Sequence, residues 1–154
     1  MKTILKVVTL ILCATISING FAQKKETVRK VIFTESPAKI EISKSTLQST
    51  LQMGAGQFVA IRIDNKNTFY GKVIANDKKY DNLQSMIIKS RGNENTFFQL
   101  SAIMNEEKNI TYTGRIINAD ASDMYQIKKD NANNYYFEKI ELNKVYQDCL
   151  TKKL

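Results

Sequence analysis

The feature of this sequence that most constrains its fold is an internal repeat. Residues 69–74 recur as residues 112–117, with an aromatic residue, a glycine and β-branched residues in matching places. Further matches extend the two copies to about residues 68–104 and 111–143, and the second copy has a shorter loop. Each copy is predicted to be a unit of three strands. Two such units can form a β-sandwich or a curved antiparallel meander, and the repeat is compatible with both.

The glycines of the two copies occupy equivalent positions in the middle of a strand. Side chains alternate along a strand, so Gly71 shares a face with Phe69 and Val73, and Gly114 with the equivalent residues. Glycine in mid-strand costs stability and marks a bulge, a bend or a close approach of another chain segment. We therefore predict two sheets, or two halves of one sheet, that bend in the same way.

Short apolar and β-branched runs alternate with clusters of Asn, Asp, Lys and Gly, which is typical of a mainly β domain. The predicted strands are residues 28–33, 39–42, 58–64, 68–76, 84–90, 96–104, 110–118, 124–129 and 134–142. One short helix is predicted near residues 45–53, with Ser43 or Ser45 as its N-cap. Leu47 and Leu51 lie four residues apart and therefore on one face of it.

Residues 1–22 have the order of a cleavable signal peptide: a positive start, an apolar run and small residues before the cut. The predicted cleavage lies between Ala22 and Gln23, and leaves residues 23–154 as a single β-rich domain. The apolar run is shorter than the ~20 residues of a membrane-spanning helix. We therefore expect an exported protein, periplasmic or extracellular, with no stable membrane span after cleavage. The alternative is an uncleaved anchor.

Cysteine and charge limit the compartment and the partners. Of two cysteines, Cys149 alone follows the predicted cleavage site, so no internal disulfide is expected. The lack of paired cysteines in an exported chain favours a bacterial source. Whether Cys149 pairs between chains stays open, as does the oligomeric state. The net charge is +8, but the basic residues are scattered, whereas a nucleic-acid site needs a concentrated stripe. We expect no nucleic-acid partner.

The sequence lacks the residues of common catalytic and metal sites. It contains no histidine, which removes Ser-His and Cys-His pairs and histidine metal ligands. No glycine pattern matches a nucleotide-binding loop. Asp77 and Asp120, which match in the repeat, are predicted to be turn residues rather than a carboxylate pair. We expect no enzymatic activity, no cofactor and no metal. An enzyme of unrecognised type is the third functional hypothesis, after the two given below.

Aromatic residues supply the candidate binding surface. Consecutive aromatics in a strand face opposite sides, so one of Tyr135 and Tyr136 points away from the core. Tyrosine and arginine are enriched among the residues that dominate protein interfaces. The candidate partner-binding residues are Tyr80, Arg91, Tyr125, Tyr135 and Tyr136. The alternative is that these tyrosines cover a second hydrophobic layer or a sheet edge.

Residues 39–128 run through an apolar strand, a Leu-x-x-x-Leu helix, a strand ending in Asp-Asn, and an aromatic-x-Gly-x-Val strand. This order resembles the N-terminal pro-regions of secreted bacterial metallopeptidases, although no peptidase domain or His-Glu-x-x-His follows. The resemblance implies a stand-alone protein that binds a secreted hydrolase as its inhibitor or folding escort. The leading expectation is an exported, non-enzymatic binding protein whose partner is another exported protein. The alternative is a structural or surface protein of the bacterial envelope.

Overall fold

The computed structural model describes residues 29–34, 36–63, 68–93 and 95–142. The strands within these ranges are β1 Lys39–Ile42, β2 Phe58–Arg62, β3 Thr68–Tyr80, β4 Leu83–Ser90, β5 Thr96–Met104, β6 Ile110–Asn118, β7 Asp123–Lys129 and β8 Tyr135–Glu141. Helix α1, Lys44–Leu51, connects β1 to β2. The predicted signal peptide with its cleavage site at Ala22 and Gln23, and the cysteine Cys149, lie outside the described residues.

The strands form one antiparallel sheet in the order β1-β8-β7-β6-β5-β4-β3-β2, curled into a half-barrel. From β2 to β8 every strand pairs with the next one in sequence, which is a meander. The first strand, β1, joins the far edge by pairing with β8. The mainly β prediction is confirmed, and of the two predicted arrangements the curved meander is the one that forms.

The repeat corresponds to two halves of this one sheet. Strands β3 to β5 form the first unit and β6 to β8 the second, and β5 pairs with β6 along its whole length. The prediction of turn roles for both matched aspartates is wrong for Asp77. Strand β3 continues to Tyr80, so Asp77 pairs with Ser85 inside the ladder, whereas Asp120 lies in the turn after β6.

The core lies on one face of the sheet, here called the inner face, and α1 packs against it. Leu47 and Leu51 of α1 are buried there, as predicted. Ser43 is the N-cap, since its Oγ accepts a hydrogen bond from the Thr46 N–H at 3.0 Å. Edge-to-face aromatic contacts join the two halves: the Phe98 ring centroid lies 5.6 Å from that of Phe137.

The equivalent positions of the two mid-strand glycines are explained by the close approach of neighbouring strands. A Cβ at Gly71 would lie 2.4 Å from Ile88 Cγ2, and one at Gly114 would lie 2.4 Å from the Gln99 carbonyl oxygen. Both glycines lie on the strands' inward side, where curling crowds the sheet. Of the three alternatives that a mid-strand glycine indicates, a bulge, a bend or a close approach, the structure shows a close approach at both positions.

The first predicted strand, residues 28–33, is wrong over the described residues 29–33. Only Lys30 makes a bridge, with Ala121. The Ile32 and Phe33 N–H groups donate to the buried carboxylate of Asp123 at 2.9 and 3.0 Å. Because these two amides bond to a side chain rather than to a neighbouring strand, the segment does not extend a ladder.

Candidate functional site

The outer face of the sheet carries a group of aromatic and basic side chains where β2, β3 and β4 lie side by side. We call this group the cationic face; it consists of Phe58, Arg62, Tyr70, Lys72, Lys89 and Arg91. Cross-strand pairing brings them together, because Phe58 lies opposite Lys72 and Lys72 lies opposite Lys89. The side chains of the neighbouring residues in the same strands point to the inner face, where they pack in the core behind this surface.

The aromatic rings of the cationic face are open to solvent. Phe58 is 57% exposed and Tyr70 is 58% exposed. The Arg91 Cζ lies 4.8 Å from the centroid of the Phe58 ring, and the Lys72 Nζ lies 6.0 Å from it. Both distances fall within the range of cation–π attraction. The Arg91 N–H also donates to the Tyr70 carbonyl oxygen at 2.9 Å, which holds Arg91 against β3.

The charge of this surface has one sign among the residues that the structure describes. The face has four cationic side chains, and residues 58–62, 68–73 and 87–91 contain no Asp or Glu. Asp64 and Glu94, which come soon after these ranges in the sequence, lie outside the described residues. A surface of this kind combines an apolar contact area with attraction for anionic groups, so it suits an acidic protein surface or an anionic polymer.

Arg91 is the predicted partner-binding residue that belongs to the cationic face. Tyr80 is 70% exposed but stands at the other end of β3, beside the turn to β4. Tyr136 lies on the outer face of β8, where the Lys39 Nζ sits 4.1 Å from its ring centroid. These three residues therefore occupy three separate places on the surface.

The prediction of partner binding is wrong for Tyr125 and Tyr135, because both side chains belong to the inner face. Tyr125 is 1% exposed, and its hydroxyl donates to the Pro37 carbonyl oxygen at 2.6 Å. Tyr135 is 5% exposed, and its hydroxyl oxygen accepts the Tyr112 N–H at 3.2 Å. Neither ring therefore presents an exposed surface to a partner.

Five residues of the cationic face were not among the predicted partner-binding residues: Phe58, Arg62, Tyr70, Lys72 and Lys89. The signal was present, since the face assignment of Phe69, Gly71 and Val73 requires that Tyr70 and Lys72 point the opposite way. Phe58 likewise alternates with the buried Val59. The approach of Arg91 to the Phe58 ring could not be predicted from this pattern, because Arg91 follows β4, which lies two strands away from β2.

A second feature is a polar cleft of about 450 Å³ between the ends of β6 and β7. These strands pair at only two positions, Arg115 with Gln126 and Ile116 with Tyr125. The Tyr135 hydroxyl accepts the Tyr112 N–H at the place where the ladder is open. Burial raises the pKa of Tyr112, and the neighbouring Tyr135 raises it further. Within the described ranges, no group of three or more acidic, Cys or His residues could hold a metal ion.

These features define the described part of the chain as an eight-stranded antiparallel half-barrel with one packed helix and an exposed cationic face. No family model matches the chain, and no curated protein or solved structure is significantly similar to it. No helix in the described part of the chain is long and apolar enough to cross a membrane.

Proposed function

We propose that this chain is an exported, non-enzymatic binding protein that recognises an acidic surface of another exported protein through its cationic face. The observation that supports this proposal most is the Phe58 ring, which is open to solvent and flanked by Lys72 and Arg91. Arginine and tyrosine beside exposed apolar area are typical of the residues that dominate protein interfaces.

The more specific proposal is that the partner is a secreted hydrolase, which the chain inhibits or escorts during folding. Its support is the resemblance to peptidase pro-regions, together with a binding surface on packed strands. Val59 and Val73 are buried directly behind the cationic face. A surface carried on such a sheet loses little conformational entropy on binding, which suits occlusion of a partner's active site.

The second candidate is a structural protein of the bacterial envelope. The observation in its favour is the like charge of Arg62, Lys72, Lys89 and Arg91, which would also attract anionic polymer or lipid. Attraction of that kind is screened by salt, whereas a packed protein interface retains its apolar part.

The deciding experiment is an affinity pull-down from the envelope and medium of the source organism, with mature protein beginning at Gln23. It compares the wild type with a charge-reversed variant, Lys72→Glu with Arg91→Glu. The matched control is Lys44→Glu with Lys129→Glu, which makes the same change in net charge at exposed positions outside the cationic face. Bound proteins are identified and quantified by mass spectrometry, and any captured hydrolase is assayed with and without the chain.

We expect one dominant hydrolase to bind the wild type and the control in near-equal amount, and to be lost from the charge-reversed variant. Equal capture by all three proteins would contradict a role for the cationic face. Recovery of polymer alone, released by salt, would replace the proposal by the envelope function.

A further inference from the structure

The two edge strands of the half-barrel face a common groove. In the sheet order, β1 and β2 are the terminal strands, so each pairs on one side only within the described residues. A groove of about 590 Å³ is lined by both of them, through Lys39 and Glu41 on one side and Ala60 and Arg62 on the other. Thr46 of α1 also lines it. The opening of the half-barrel is therefore bordered by two strand edges that have no partner strand among the described residues.

The backbone of β1 directs hydrogen-bonding groups into this groove. The Lys139 N–H donates to the Ala38 carbonyl oxygen at 2.8 Å, and Lys39 lies opposite Glu138 in the register. Antiparallel pairs alternate between hydrogen-bonded and non-hydrogen-bonded positions. The main chain of Ile40 therefore bonds to β8, whereas the N–H and C=O groups of Lys39 and Glu41 point away from it.

The main chain of β2 is arranged in the same way on the opposite side of the groove. The Val73 N–H donates to the Gln57 carbonyl oxygen at 2.9 Å, and the next pair is Phe58 with Lys72. By alternation, Val59 bonds to β3, and the N–H and C=O groups of Ala60 and Arg62 point away from β3. Both edges thus offer donors and acceptors to one groove.

We propose that this groove binds an extended segment of the partner protein, which adds to the sheet between β1 and β2. The inference rests on the proposed binding function and specifies how the partner is held. A strand in this place would form main-chain hydrogen bonds with either edge, the mode known as β-strand addition. Arg62 belongs to both the groove and the cationic face, so the two surfaces are continuous.

The lining residues indicate a segment in which apolar and acidic residues alternate. Ile40 and Ile42 turn inward beside the groove, so inward-facing residues of the added strand meet apolar side chains. On the outward side Lys39 and Arg62 attract carboxylates and Glu41 carries the opposite charge, so the lining has a net positive charge. Charged residues on edge strands also discourage unspecific strand pairing, which limits the groove to segments of complementary charge.

The test uses a fluorescent synthetic peptide that alternates valine and glutamate, with binding followed by anisotropy on the full mature protein. The key variant is Ala60→Pro, which removes a groove-facing N–H without removing a bond to β3, a position where an edge strand tolerates proline. Ala60→Ser keeps that N–H and is the matched control. A backbone N-methylated form of the peptide, which cannot donate, tests the same contact from the other side.

We expect the peptide to bind the wild type and Ala60→Ser alike, and Ala60→Pro about tenfold more weakly. The N-methylated peptide should not bind. The charge-reversed variant at Lys72 and Arg91 keeps the groove-facing main chain of both edges, so in high salt, which screens the added negative charge, it should bind the peptide within about twofold of the wild type. Peptide binding can therefore fail while the cationic face still captures its partner, and partner capture can fail while the peptide still binds. The two proposals are thus tested separately.

Absence of peptide binding, or equal binding of the N-methylated peptide, would overturn the proposal, as would equal binding by Ala60→Pro. Amide hydrogen exchange of the free protein gives a second test. Slow exchange at Lys39, Glu41, Ala60 and Arg62 without peptide would overturn it too, because the edges would already be paired. Dependence of that protection on protein concentration would then assign the groove to a second copy of the chain, and independence would assign it to another segment of the same chain.

Discussion

Gly114 is the mid-strand glycine at which the main chain of a neighbouring strand leaves the least room for a side chain. The atom that a Cβ would meet first is the main-chain oxygen of Gln99, which cannot rotate away as a side chain could. At Gly71 the first obstacle is the side chain of Ile88, but the Lys89 carbonyl oxygen follows at 2.9 Å. Alanine at either position would force the strands apart.

We therefore expect Gly114→Ala to lower the free energy of unfolding by about 1–3 kcal/mol, the usual cost of overpacking. Gly71→Ala should be destabilising as well. The control is Gly92→Ala in the β4–β5 turn, where a Cβ has no neighbour within 4 Å, and its effect should stay within about 0.5 kcal/mol. Urea unfolding curves measure all three, and equal midpoints for Gly92→Ala and Gly114→Ala would contradict the argument.

Tyr112 should make stability fall at alkaline pH. Burial is the larger cause and the neighbouring Tyr135 the smaller one of a pKa raised above the usual value of 10.0. A raised folded-state pKa means that this stability is complete below the unfolded pKa and is lost as pH rises through the folded one. Unfolding free energies measured across alkaline pH should decline less steeply in Tyr112→Phe than in the wild type. The same slope in both proteins would remove Tyr112 as the cause.

At the scale of elements, residues 29–34 depend on a single carboxylate. Asp123 is 1% exposed and accepts two main-chain N–H groups from this segment. Hydrogen bonds to charged groups contribute about 1.5–3 kcal/mol each. The segment therefore has a local stability that one substitution can remove.

Asp123→Ala should accelerate amide hydrogen exchange at Ile32 and Phe33 by about ten- to a hundredfold. Asp123→Asn keeps one acceptor oxygen and should have an intermediate effect. Amides in the middle of β5 serve as the internal reference, because they are held by the sheet and should change less. Uniform acceleration throughout the protein would instead mean that Asp123 supports the whole fold.

Helix α1 ends where side chains from the sheet bind its last carbonyl groups. Asn76 Nδ2 donates to the carbonyl oxygens of Leu51 and Met53, both at 2.8 Å, and Gln84 Nε2 donates to that of Leu51 at 2.9 Å. These contacts explain why the helix stops at Leu51, although a helix near residues 45–53 was predicted. They also attach the helix to β3 and β4.

We expect Asn76→Ala to cost about 1–3 kcal/mol of unfolding free energy, because it leaves a half-buried carbonyl group without its donor. Gln48→Ala, at an exposed position of the same helix, is the control and should change stability by less than about 0.5 kcal/mol. Thermal unfolding followed by circular dichroism distinguishes them. Equal stability of the two variants would show that Asn76 does not secure the helix.

At the scale of the whole molecule, the two repeats share one core and should unfold together. The ring of Phe98, in the first unit, contacts Phe69 within that unit and Phe137 in the second. Phe98 is fully buried, whereas Phe97 beside it faces the outer side and is half-buried. The pair therefore offers a test in which two identical side chains differ only in the face they occupy.

Phe98→Ala should lower the free energy of unfolding by about 3–5 kcal/mol, the range for a buried phenylalanine. Phe97→Ala should cost less than half as much. Hydrogen exchange should show loss of protection in β3–β5 and β6–β8 to the same extent in Phe98→Ala. Loss confined to β3–β5 would mean that the repeats are separate folding units.

Much of the architecture is determined by sequence periodicity, because alternation and turn residues act locally. The bounds of β5 and β6, the mid-strand glycines and the choice of a serine N-cap all follow from neighbours in the chain. Alternation in β7 and β8 also predicts that Tyr125 and Tyr135 are buried, because Ile127 and Phe137 lie two residues further along on the same face. The prediction that these two tyrosines bind a partner was therefore wrong, although the sequence pattern indicated their burial.

Other features depend on residues that are distant in sequence and were decided only by the tertiary structure. Asp123 binds amides 90 and 91 positions away, and Arg91 reaches Phe58 across an intervening strand. The curl of the sheet decides that β1 and β2 border the same groove. Local periodicity determines which side chains share a face of a strand. Which strands become edges, and what those edges face, depends on how the whole sheet closes around its core.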